Sequence, residues 1–114
     1  MTPSQSFHIE AIDSPSGAKI FKLSGALTIQ TLFDFQQMVR EETAKPIIVD
    51  ISQVPYMDSA GLGVIMNYFV AAQGAGRKFF LTGVNDRVRA LLEMTKVDSV
   101  LRIYDSVEMA QGLA

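Results

Sequence analysis

Residues Ile47, Ile48 and Val49 are apolar in immediate succession within the segment KPIIVDIS. Successive side chains of a strand point to opposite faces, so a strand with this run must be covered on both sides. Such strands belong to parallel sheets flanked by helices rather than to half-exposed antiparallel ones. The neighbouring segments agree. SFHIEAID (Ser6 to Asp13) and AKIFKLSG read as two strands joined by the turn cluster SPSG at Ser14 to Gly17. Helical periodicity runs from Thr28, a plausible N-cap, to Thr43, with Leu32, Phe35 and Val39 inward and Ile29 and Met38 supporting them.

The next helix begins after Asp58 and carries Leu62, Ile65, Met66, Phe69 and Val70 on its inward stripe. It ends at Gly74-Ala75-Gly76. RKFFLTGV is another short apolar strand. Asn85 caps a third helix with core face Val88, Leu91 and Leu92. VLRIYDS closes the sheet, and Asp105 with Glu108 forms a capping pair for a short last helix. The order β-β-α-β-α-β-α-β-α predicts an α/β domain: a small mixed sheet surrounded by helices, with an opening hairpin and right-handed crossovers. The working surface of such a sheet lies beyond the carboxyl ends of its strands. Asp58 and Ser59 fall there.

At 114 residues, 48% hydrophobic and 19% charged, the chain suits one globular domain. The formal charge is −2 and no dense Lys/Arg block occurs, so the electrostatic footprint of a nucleic-acid binder is missing. Cysteine is absent, which excludes disulfides and thiolate chemistry. No apolar run is long enough to span a bilayer, and MTPSQSFHIE does not resemble a signal peptide. The expected location is the cytoplasm, with no cofactor and no metal. The methionines Met38, Met66 and Met94 suit helix packing faces better than a metal site. His8 is expected on the surface or at a strand edge, and Arg87 and Arg89 on a solvated face that could border a partner surface.

The stretch VPYMDSAGLGVIM (Val54 to Met66) needs its own account. Ser59 is not part of a nucleophile elbow, because Met57 occupies the position where G-x-S-x-G requires glycine. The chain's one histidine, His8, is not tied to it, and a serine without a base is a weak nucleophile. The GLG sequence is only part of a dinucleotide fingerprint, and Asp58 with nearby Asp50 disfavours a bound anion. Capping explains Asp58 and Ser59. It does not explain the opposite helix face, where periodicity places Ala60, Gly63, Asn67 and Ala71, small and uncharged. A smooth strip of this kind lets a partner's backbone come close. Phosphorylation of an exposed serine here adds about −1.5 to −2 charges and disturbs a docked partner more than the fold.

These residues closely resemble the signature of STAS domains, named for sulfate transporters and anti-sigma factor antagonists. The resemblance includes KLSGALT before the first helix, PIIVDIS before the signature, and RKFFLTGVNDRVRALLEMTKVDSVLRIYDS after it. It implies an anti-sigma factor antagonist that works by partner switching. The unphosphorylated protein binds an anti-sigma factor that is also a serine kinase. That kinase phosphorylates the serine after the aspartate, here Ser59, and the complex separates. A phosphatase resets it. The partner-facing residues implied are Asp58, Ser59, Ala60, Gly61 and Gly63; Asn67 and Thr28 adjoin them, with Tyr56 and Tyr68 near the same surface. Two positions depart from the common pattern: Ala60 where Ser or Thr is frequent, and Thr28 in place of the aspartate of G-x-L-D. Other branches of the family use the domain as a constitutive module of transport or stress-signalling complexes, without phosphorylation.

Overall fold

A computed structural model gives the architecture and describes residues 7–42 and 45–113. Five strands form one sheet in the order β1-β2-β3-β4-β5. The strands are β1 (His8–Asp13), β2 (Lys19–Ser24), β3 (Ile47–Gln53), β4 (Phe79–Thr82) and β5 (Arg102–Tyr104). Helices α1 (Leu32–Glu41), α2 (Ser59–Gly74) and α3 (Asp86–Met94) link β2 to β5, and α4 (Val107–Gln111) follows. β1 pairs antiparallel with β2, and every later pair is parallel. The hairpin turn closes through the Gly17 N–H, which donates to the Ser14 carbonyl at 2.9 Å. Gly17 has φ +93°, a conformation natural to glycine.

Parallel neighbours in chain order, each joined by a right-handed crossover, place all three crossover helices on one face. The core records this. Phe21, Leu23, Val49, Ile51 and Leu81 of the sheet pack with Leu32, Phe35, Ile65, Phe69, Val88 and Leu92 of the helices. The alternate strand residues Ile20, Ile48 and Phe80 face the other way and pack with Ala110 of α4. The consecutive apolar run in β3 is thereby explained: Ile47, Ile48 and Val49 are all buried, but on two faces. Burying each such side chain contributes about 1.5–3 kcal/mol.

Several expectations are corrected. The first strand begins at His8; Ser6 lies outside the described residues. His8 is exposed on this edge strand, as expected. α1 begins at Leu32, not Thr28, and Thr43 lies outside the described residues. Thr28 instead builds a turn: its hydroxyl accepts the Gln30 N–H at 3.2 Å, and its carbonyl accepts the Leu32 N–H at 2.9 Å. Local side-chain bonds of this kind compete with helix. Ile29, released from the helix, is 57% exposed rather than in the core. In α2, Val70 is 61% exposed, because it lies one residue, or about 100° of helix, beyond Phe69. Val64 and Ala72 are buried in that helix, and Met66 is half-buried. Met94, expected on a packing face, is 78% exposed. The cap of α4 is Ser106, whose hydroxyl accepts the Met109 N–H at 3.3 Å, and not Asp105.

Candidate functional site

The loops after β2 and β3 lie side by side. Leu27 and Met57 form an isolated parallel bridge that extends the sheet past its strands. The Leu27 N–H donates to the Tyr56 carbonyl, and the Asp58 N–H donates to the Leu27 carbonyl, both at 3.2 Å. Asp58 then joins the two loops through its side chain. One carboxylate oxygen accepts the Gly61 N–H at 2.9 Å and so caps α2. The other accepts the Ile29 N–H at 3.1 Å. A carboxylate accepting backbone N–H groups at a helix start satisfies orphan donors and complements the helix dipole.

Ser59 is the first residue of α2 and is exposed. Because Asp58 makes the cap, the Ser59 hydroxyl is not required to start the helix. The two glycines of DSAGLG have different reasons. Gly61 is buried, and a Cβ there would stand 2.3 Å from the Leu27 carbonyl oxygen, so the close approach of the loop after β2 to the first turn of α2 demands glycine. Gly61, expected among partner-facing residues, is buried instead. Gly63 has nothing within 4 Å of the Cβ position and borders open space.

Ala60, expected to point outward, is half-buried and packs against the main core. Asn67 and Ala71 are exposed as expected. Thr28 is half-buried in the turn beside Asp58 and serves as neither cap nor exposed strip. The whole of α2, 16 residues from Ser59 to Gly74, carries no Asp, Glu, Lys or Arg. An ordinary solvated helix face carries such residues. Asp50 does not add charge to this site. Between inward-facing Val49 and Ile51, it projects to the α4 side of the sheet, where its carboxylate accepts from Thr82 Oγ1 at 3.3 Å.

Three contacts and one exposed side chain escaped the sequence reading. Asn85 caps α3 through the Val88 N–H at 2.8 Å, as expected, but its amide also donates to the Val54 carbonyl at 2.9 Å. Arg87, expected on a solvated face, holds its guanidinium carbon 5.1 Å from the Tyr56 ring centroid. Tyr68 lies on α2, but its hydroxyl donates to the Gln36 carbonyl at 2.8 Å and ties α2 to α1. Phe33, on the outer side of α1, is 65% exposed.

Among the described residues no group of acidic or histidine side chains could hold a metal ion. No helix there is long and apolar enough to cross a membrane. What the arrangement offers is an exposed serine at the start of a helix without charged side chains.

Residues 10–110 match the sequence profile of the STAS domain. The chain belongs to the STAS domain family. This STAS domain is 26% identical, over 91 residues, to the anti-sigma-B factor antagonist of Staphylococcus aureus, a match covering 77% of this chain and 84% of that one. Its fold superposes on an anti-sigma factor antagonist from Mycobacterium paratuberculosis with a TM-score of 0.87 and 18% identity, covering 98% of this chain and 96% of the other. The murine anion transporter Solute Carrier 26 family member A9 contains a similar fold, at a TM-score of 0.72 and 16% identity, over 86% of this chain and 18% of the transporter. These sequence relatives are named anti-sigma factor antagonists, and the fold is shared more widely.

Proposed function

We propose that the protein is a non-enzymatic, cytoplasmic anti-sigma factor antagonist that acts by partner switching. Unmodified, it binds an anti-sigma factor that is also a serine kinase. Phosphorylation of Ser59 separates the two, and a phosphatase restores the binding form. The observation that carries this reading is the position of Ser59: exposed, first in an uncharged 16-residue helix, with its neighbour rather than itself making the cap. Ser59, Gly63 and Asn67 form the docking strip, flanked by Asp58 and Thr28. Ala60 and Gly61 shape it from beneath.

The chemistry favours a switch of partner over a switch of fold. A phosphate on Ser59 lies at the positive end of the α2 dipole, which stabilises it by about 0.3–1 kcal/mol. Asp58 opposes it from one residue away. The net effect on folding is small. A docked surface, by contrast, must desolvate the new charge or leave. Incubation with ATP and the anti-sigma kinase of the same genome, followed by mass spectrometry, tests the reading. Phosphate on Ser59, absent in Ser59→Ala, supports it; binding of the kinase without phosphate on Ser59 leaves a constitutive docking module instead.

A further inference from the structure

The loop leading to Ser59 is fastened to α3 at two points. The Asn85 amide donates to the Val54 carbonyl at 2.9 Å and the Pro55 carbonyl at 3.4 Å while its oxygen caps the helix. Two residues later, Arg87 lies over the ring of Tyr56, which is 43% exposed and three positions before Ser59. The first turn of α3 therefore borders the same surface as Ser59.

Arg87 is exposed and, among the described residues, its side chain makes no hydrogen bond and no ion pair. The nearby Asp58 carboxylate is already engaged by two backbone N–H groups. The donors of the guanidinium remain available, while the ring beneath restrains the side chain. A planar guanidinium fork matches a carboxylate with two parallel hydrogen bonds. Restraint before binding lowers the ordering cost on binding. Tyr and Arg are also the side chains most enriched where interface energy concentrates. Beside the uncharged α2, this corner supplies a positive charge with no acidic partner of its own.

We infer that the docking face continues from Ser59 across Tyr56 onto α3, and that Arg87 receives a carboxylate of the anti-sigma factor; this rests on the anti-sigma factor reading above. The test is the affinity of the unmodified full chain for the purified anti-sigma factor of the same genome, measured by calorimetry at low and high salt. Arg87→Glu weakens binding at least about tenfold, the loss typical of reversing a charge against its partner. Arg87→Lys, which keeps the charge without the fork, weakens it by a smaller factor. Wild-type affinity falls more steeply with salt than that of Arg87→Ala. Thermal melts of each variant check folding, and Arg87→Ala decides the matter if Arg87→Glu does not fold. Binding by the Arg87 variants within about twofold of wild type, with unchanged salt dependence, overturns the inference and leaves the functional reading intact. A wild-type protein that does not bind the anti-sigma factor at all overturns the functional reading and this surface with it.

Discussion

Replacing Gly61 with alanine places a methyl carbon 2.3 Å from the Leu27 carbonyl oxygen and 3.0 Å from both the Leu27 carbonyl carbon and its Cγ. An ordinary carbon–oxygen contact is about 3.3 Å or more, so the loops must part by about 1 Å. The atoms in the way are mostly backbone and cannot swing aside. Their displacement stretches the Asp58 N–H bond to the Leu27 carbonyl and the Leu27 N–H bond to Tyr56, both 3.2 Å already. Overpacking costs about 1–3 kcal/mol, and loss of both hydrogen bonds adds about 2 kcal/mol. Alanine's better helix propensity offsets about 1 kcal/mol. The net expectation is a loss of about 2–4 kcal/mol, a large share of the stability of a small domain. Gly63→Ala has the opposite sign. Nothing lies within 4 Å of its Cβ position, so removing a helix-interior glycine gains about 0.5–1 kcal/mol. Urea denaturation of both variants beside wild type measures the pair. A Gly61→Ala midpoint equal to or above wild type refutes the close approach of Leu27 as the reason for this glycine.

Asn85→Ala removes a helix cap and the bonds to the Val54 and Pro55 carbonyls together, and is expected to lower stability by about 1–3 kcal/mol in denaturant melts. Tyr68→Phe removes the hydroxyl that holds the Gln36 carbonyl and is expected to cost about 1 kcal/mol by the same assay. Asp13 hydrogen-bonds Lys45 and pairs with Lys19, and these contacts hold its carboxyl below the ordinary value of 3.8. A depressed carboxyl stabilises the fold above the unfolded value and loses that contribution as pH falls through the folded one. The thermal midpoint of wild type should therefore slightly exceed that of Asp13→Asn at neutral pH. The two should converge below pH 3.8, a small effect because the groups are exposed.

The architecture was legible because its causes are local or periodic. The run Ile47-Ile48-Val49 required cover on two faces, and α1–α3 and α4 supply it. Ser59 at the start of α2 followed from the strand end, the cap residue and the apolar stripe behind it. The misreadings share a different cause: each depends on a partner far along the chain. Thr28 to Thr31 fails to wind into α1 while the Ile29 N–H is held by Asp58, 29 residues away, a contact that apolar periodicity cannot register. Gly61 looked like surface until the Leu27 carbonyl was found against it. Arg87 looked solvated because nothing in the sequence brings Tyr56 beneath it. Val70 failed for a simpler reason: the buried stripe of α2 is turned toward Val64 and Ala72, away from Val70.

Partner switching at Ser59 is decided most directly by one pair of affinities, those of the anti-sigma factor for the unmodified protein and for the same protein stoichiometrically phosphorylated at Ser59. Thermal melts run alongside should agree within about 1 kcal/mol, as expected for a change at an exposed site. The account predicts tight binding by the unmodified form and loss of at least about 1.4 kcal/mol, a tenfold change, on phosphorylation with the fold intact. Equal affinity of the two forms would contradict it.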